Sequence, residues 1–358
     1  PTGVPQLGNY LGSIKNWVAL QKDGDGNKAT SRELFYSVVD LHALTVPRDP
    51  KQLYRETIET AAALIACGID PDHSVLFRQS AVPAHSQLYW ALGCITPVGW
   101  LNRMTQWKSK LQQQQQSQEQ EQGQTEKNDV LSDSAIVKLN VHSSAAQGLL
   151  TGLFTYPVLM AADVLLYNAT HVPVGEDQVQ HLEFTRDLAE HFNKQYKRNI
   201  FTMPTVMLTP SKRIMSLKDP LRKMSKSDPN EQARITLGDT DDQIRRKIKK
   251  APTDAIRGIT YDPDSRPGIS NLLSIYAAVK NTDPESAALL MCSFSNAQLK
   301  EAVSEAIVAE LAPIRQEMSR LLVDREHINQ ILCKNEEIAR SIAHANWKSI
   351  AEYIGLKA

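Results

Sequence analysis

The chain has 358 residues, with Lys+Arg 40, Asp+Glu 40, a formal net charge of zero and 42% hydrophobic residues. That length suits two or three domains and a sizeable core. The charge balance excludes a uniformly basic nucleic-acid coat, although a local basic patch can hide inside a zero sum, and no apolar run approaches the roughly 20 residues of a membrane-spanning helix.

The first half alternates helix and strand signals. Leu11, Ile14 and Val18 form a helical stripe within 7–21, and a Gly/Asp/Asn-rich turn follows at 23–27. Residues 34–39 (LFYSVV) predict a buried strand, 50–67 a helix with Gly68 as its C-terminal cap, 74–77 a strand and 84–95 a helix. In 112–124, nine of thirteen residues are Gln. Such a tract cannot bury enough apolar surface to order itself, so about 111–147 reads as a mobile surface insertion. A helix is predicted from Pro157 to Tyr167, with proline at its start, then a strand over 170–174 and a helix over 177–196. Residues 203–230, rich in Pro, Ser and Lys, read as a loop or irregular hairpin. Beyond about 230 the pattern is helical, over 240–250, 269–279, 296–309 and on to 354. The βαβα alternation predicts a parallel sheet covered by helices, with ligands beyond the C-terminal strand ends.

The four cysteines, at 67, 94, 292 and 333, form no CxxC pair, which speaks for reduced thiols rather than a zinc site or redox dithiol. The chain begins at Pro1 without Met or a charged leader; either a targeting segment has been removed or this is a fragment, with a first strand lost upstream.

Several stretches carry chemistry. Lys223-Met224-Ser225-Lys226-Ser227, followed by Asp228-Pro229, puts two lysines three apart in a flexible loop, where both can reach a polyphosphate. Pro5-Gln6-Leu7-Gly8-Asn9 opens a predicted helix, and its glycine lets a phosphate approach the N–H groups there. Tyr156, Met160 and Asp163 share one helix face. Asp163 lies in the apolar run VLMAADVLLY, where a carboxylate needs a partner: an N-cap, a structural ion pair, or a ligand donor at the floor of an apolar pocket. Gly175-Glu176-Asp177-Gln178 follows a strand directly; its carboxylates suit either a helix cap or ribose hydroxyls. His42, after the strand 34–39, stands at a strand end, as a structural or a pocket residue. Lys108 and Lys110 could contact phosphates or simply end a helix. His171 and His181, with Glu176 and Glu183 near, lack a standard metal spacing. Residues 211–250 hold twelve Lys/Arg against six acids, a surplus of six beside the lysine loop. Its cluster RRKIKK at 245–250 suits a helix C-terminus or RNA phosphates.

The pentapeptide at 223–227 is the KMSKS signature of class I aminoacyl-tRNA synthetases. Residues 5–9 resemble the divergent HIGH motif of the tryptophanyl group, with Gln6 in place of the first histidine, and 175–178 is similar to its GEDQ motif. On these motifs the chain resembles the bacterial/mitochondrial-type tryptophanyl-tRNA synthetases. The resemblance implies an α/β fold, with a class I Rossmann-type parallel-sheet catalytic domain over 1–230, carrying the Gln-rich insertion, and an α-helical anticodon-binding domain over 231–358. It implies a homodimer with no membrane attachment, in the mitochondrial matrix or alternatively a bacterial-type cytoplasm. The implied reaction joins L-tryptophan to ATP, with Mg2+, and passes tryptophan to tRNA(Trp). Lys223 and Lys226 are the implied catalytic residues. Gln6, Leu7, Gly8, Asn9, Gly175, Glu176, Asp177, Ile214, Lys223, Met224, Ser225, Lys226 and Ser227 would hold ATP. Asp163, Tyr156, Met160, Gln178 and His42 would hold tryptophan, and no side-chain metal site is expected. The rival expectations are a tyrosyl-specific synthetase of the same fold, a cofactor adenylyltransferase, and an inactive RNA-binding relative.

Overall fold

The computed structural model of the chain describes residues 3–22, 33–105, 150–208, 213–226 and 228–356. The Gln-rich segment, the turn at 23–27, Lys108, Lys110 and Ser227 lie outside the described residues.

The N-terminal motif opens a nearly continuous helix: α1 (Leu7–Asn9), a π-helical turn (Tyr10–Ile14) and α2 (Lys15–Lys22). Then come β1 (Phe35–Val38), α3 (Asp40–Ala43), α4 (Pro50–Ala66), β2 (Val75–Arg78), α5 (Ala84–Ile95) and α6 (Val98–Asn102). After the undescribed stretch follow α7 (Thr151–Leu165), β3 (His171–Val174), α8 (Val179–Gln195) and β4 (Thr205–Leu208). The remainder is helical: α9 (Asp241–Lys249), α10 (Pro267–Lys280), α11 (Pro284–Leu290), α12 (Asn296–Val323) and α13 (Arg325–Tyr353).

Local chemistry accounts for many of the boundaries. Asp49 caps α4 by accepting from the Gln52 N–H at 2.8 Å, with Pro50 at the first helical position. Gly68 follows with φ +107, the left-handed conformation expected of a residue ending this helix. Thr240 with Gln243 and Ser295 with Gln298 form capping boxes on α9 and α12.

The expected parallel pairing occurs as two pairs, β1 with β2 and β3 with β4. Phe35 faces Val75 and Val38 faces Arg78 in the first; His171 faces Thr205 and Val174 faces Leu208 in the second. Strand β4 lies within 203–230, whose sequence reads as a loop or irregular hairpin without a strand of the parallel sheet. The run TVML has no apolar–polar alternation to read, and the pairing with β3 defines the strand. The helix over the Asp163 region starts at Thr151, six residues before the predicted Pro157. Pro157 stands inside the helix and is buried; packing of the surrounding apolar residues outweighs the one backbone bond that proline removes.

One apolar core runs from Leu7 and Ile58 to Leu272, Leu311 and Leu332, so α4 and the C-terminal helices share it. A second joins α5, α7 and α8 to Ala339 and Ile350 of α13. Helix α13 also meets β2 through a bidentate pair between Arg78 and the buried Glu336, at 2.5 and 3.1 Å.

Candidate active site

The predicted residues lie just beyond the C-terminal ends of β1 and β3, at the N-terminus of α1, on α7 and in the loop 213–226. Loop 213–226 is folded as a short antiparallel hairpin. Ser216 N–H donates to Arg222 C=O at 2.8 Å, Met224 N–H to Ile214 C=O at 3.0 Å, and Met215 opposes Lys223. The N-terminal motif docks on it. Gln6 Nε2 donates to the Met224 carbonyl at 2.8 Å, and Leu7 N–H donates to Ile235 C=O at 2.8 Å. The two sequence motifs, more than two hundred residues apart, are therefore in direct contact.

Between them lies a cavity of about 240 Å³ lined by Gln6, Gly8, Asn9, Gly175, Asp177, Gln178, Ile214, Lys223 and Met224, together with Arg213, Trp17 and the end of β3. Lys223 Nζ stands 3.9 Å from Asp177 Oδ1 across it. Burial pushes the Asp177 carboxyl up, but the Gln178 hydrogen bond and the Lys223 charge bring it below its ordinary value. At Gly175 a Cβ would sit 3.0 Å from Asp177 Oδ1, so a side chain there would push that carboxylate aside. A larger cavity, about 410 Å³ between α2, α4 and α10, contains none of the predicted residues; its Lys15 is bonded to Glu310 and the Val279 carbonyl.

Other predicted nucleotide contacts lie elsewhere. Leu7 has no exposed surface and belongs to the core, so its side chain cannot meet a ligand. Glu176 and Ser225 do not line the cavity. Lys226 is turned toward α4: its Nζ, Glu59 Oε2 and Glu56 Cγ all lie within 4 Å of where a Cβ on Gly3 would be. Burial lowers the Lys226 ammonium to about 8, against the opposing pull of Glu56 and Glu59. Gln178, expected at the amino-acid pocket, lines the same cavity as Gly8, Asn9 and Lys223 and donates to Asp177 Oδ2 at 3.0 Å.

Asp163 is the centre of a second cluster. His42 Nε2 lies 2.9 Å from Oδ2, Gln79 Nε2 donates to Oδ1 and Oδ2 at 2.7 and 2.9 Å, and His85 Nδ1 lies 2.6 Å from Oδ1. The other nitrogen of His85 is 3.0 Å from the Tyr167 hydroxyl. Burial alone would raise the Asp163 carboxyl, but the bonds and charges of His42 and His85 hold it below the usual carboxylate value, so it is an acceptor only at neutral pH. Tyr156 stands edge-on to His42, and its hydroxyl is 2.5 Å from Nε2 of the buried His181. Burial holds the His181 imidazole below its ordinary value, against the opposing charge of Asp177 at the cavity. Met160 is half-buried, one turn before Asp163 on α7.

Gln79 and His85 were not predicted. A faint signal exists in Q79-S-A-V-P-A-H85, polar residues directly after the β2 strand end, where ligands gather in this fold class.

The basic surface is smaller than its count. Within 245–250, Lys247 is buried and paired with Asp239, and Arg245 pairs with Glu305 at 3.0 Å; Arg246, Lys249 and Lys250 are exposed. Among the described residues no group of three or more His, Cys, Asp or Glu converges as a metal site.

A family model described as tRNA synthetases class I (W and Y) matches residues 1–312. A mitochondrial tryptophan–tRNA ligase of Schizosaccharomyces pombe is 44% identical over 99% of this chain and 93% of its own. The crystal structure of tryptophanyl-tRNA synthetase from Mycoplasma pneumoniae superposes with a TM-score of 0.79 at 32% identity, covering 98% of this chain and 94% of that one. The Campylobacter jejuni tryptophanyl-tRNA synthetase, complexed with ADP and tryptophan, gives 0.73 at 28% identity, covering 99% and 98%.

Proposed function

The chain belongs to the class I tRNA synthetases of the tryptophan and tyrosine type, and on that premise we propose that it is a tryptophan–tRNA ligase working through the two clusters above. The observation that carries the reading is the meeting of Gly8, Asn9, Gly175, Asp177 and Lys223 around one cavity, together with an acceptor-only carboxylate at Asp163. Tryptophan specificity is supported by the tryptophan-specific relatives and by the indole N–H, a donor that an acceptor such as Asp163 suits.

ATP occupies the cavity beside α1, its ribose hydroxyls donating to Asp177 and its phosphates near Gly8, Asn9 and Lys223. Tryptophan lies against Tyr156, Met160 and His42 with its N–H toward Asp163. Its carboxylate attacks the α-phosphorus; a new P–O bond forms as the bond to the β-phosphate bridging oxygen breaks, and pyrophosphate leaves. No protein nucleophile is required, so catalysis is positioning and charge stabilisation. Lys223 faces the departing charge, and Lys226 exchanges Glu56 and Glu59 for the phosphates. Mg2+ would come with the nucleotide, on whose phosphates it would screen charge.

The tRNA backbone lies along Arg246, Lys249 and Lys250, and residues 231–358 read the anticodon with particular side chains rather than bulk charge. The catalytic unit is a homodimer. The Schizosaccharomyces pombe relative, named mitochondrial, and the polyglutamine-like tract support the mitochondrial matrix, with a bacterial-type cytoplasm as the alternative. Charging of tRNA(Trp) with labelled tryptophan tests the whole reading. Stable tRNA binding without any charging would leave the inactive RNA-binding relative instead.

A further inference from the structure

The hairpin that presents Lys223 has an outer edge, and one side chain from the helical half fills it. Ile214 and Met224 bond to each other, as do Ser216 and Arg222. Met215, opposite Lys223, therefore points its own N–H and C=O away from its partner strand. Asn271 of α10 takes both: its Oδ1 accepts from Met215 N–H at 3.0 Å and its Nδ2 donates to Met215 C=O at 3.0 Å, with Ser216 C=O at 3.5 Å. The amide thus imitates one residue of a third strand. It is rigidly held, being only 6% exposed. The residue before its helix, Arg266, is also buried and is bonded to both Asp254 oxygens at 2.8 and 2.9 Å and to the Gly258 and Ile256 carbonyls. Gln6 fixes the hairpin from the other side, at Met224.

We propose that Asn271 is a positioning residue for amino-acid activation: by holding Met215 it sets the register of Lys223 over the nucleotide cavity, so that the helical half of the chain controls the lysine facing the leaving pyrophosphate. This rests on the role given to Lys223 above. Another outward backbone bond of the hairpin, Leu217 N–H to Ala233 C=O at 2.9 Å, is local, whereas Asn271 is more than fifty residues away in sequence. Its contact with the catalytic loop is therefore made only when the two halves are docked.

The test is ATP–pyrophosphate exchange by the full chain, per active site counted from the first turnover, for wild type, Asn271→Leu and Asn271→Asp. Asn271→Leu removes both bonds; Asn271→Asp keeps the shape and the acceptor but has no donor for Met215 C=O. The expected result is a kcat lowered about tenfold or more and a raised ATP KM in the leucine variant, with the aspartate variant between, and a tryptophan KM within about twofold of wild type in both. A merely structural residue would lower thermal stability and leave both KM values and the per-site kcat unchanged, which would overturn the proposal. If the leucine variant does not fold, the same split in the aspartate variant decides. A wild type without tryptophan-dependent exchange would sink the underlying reading as well; an active wild type with unaltered variants sinks only this one.

Discussion

Asp163 accepts four contacts on two oxygens, from His42, Gln79 twice and His85. Asp163→Asn keeps the shape but puts an NH2 group where one oxygen was. At the Oδ1 position that group would face His85 Nδ1, whose ring is also tied to Tyr167. At Oδ2 it would face His42 Nε2, which can change tautomer and accept. The amide nitrogen should settle at Oδ2, at the loss of one leg of the Gln79 bond and of the negative charge. A hydrogen bond to a charged group is worth roughly 1.5–3 kcal/mol. If the indole N–H relies on this carboxylate, kcat/KM for tryptophan should fall roughly 10- to 150-fold, at about 1.4 kcal/mol per tenfold. The ATP KM should stay within about twofold, because Asp163 does not line the nucleotide cavity. The assay is tryptophan-dependent exchange at saturating ATP. An unchanged tryptophan KM in a folded Asp163→Asn protein would refute the pocket assignment.

Four further outcomes follow from the same geometry. Lys226, lowered to about 8 by burial, is charged below that pH, so kcat/KM for ATP should fall as pH rises through about 8, and Lys226→Arg should carry activity to higher pH. The stability effect has the opposite sense: between the folded value near 8 and the ordinary lysine value of about 10.4 the unfolded chain binds the extra proton, so this group makes the fold more stable as pH rises through that window. Gly175→Ala should raise the ATP KM several-fold, about 3- to 10-fold, by displacing Asp177, with the tryptophan KM little altered. Arg78→Met leaves Glu336 buried without its guanidinium and should cost roughly 3 kcal/mol in denaturant unfolding; a loss under about 1 kcal/mol would show the pair to be incidental. Lys249→Gln with Lys250→Gln should weaken tRNA binding and flatten its salt dependence by about one to two in slope, leaving exchange activity intact.

Contiguous features could be read from the chain. The loop at 223–227, the glycine at the start of α1 and the run at 175–178 are each contiguous motifs of five residues or fewer, recognisable without knowing what packs against them. Gly68, likewise, shows itself as a helix end because a positive φ there suits glycine alone. What escaped was set by distance along the chain. Gln79 and His85 meet Asp163 only because β2 and α7 are brought together, and neither a 3-10 turn nor a helix start marks them as ligands of a carboxylate. Asn271 sits in the helical run 269–279, where one polar residue on a buried face has no visible partner until the hairpin is placed against it. Charge counting misled for a related reason: Lys247 and Arg245 add to the sum at 245–250, yet Asp239 and Glu305 engage them in the fold.

Tryptophan is selected in the first half-reaction. ATP–pyrophosphate exchange by the purified chain, measured with tryptophan and with tyrosine as the only amino acid, tests it most directly. The expected result is exchange with tryptophan and essentially none with tyrosine at the same concentration. Exchange driven by tyrosine, or none with either, would contradict it.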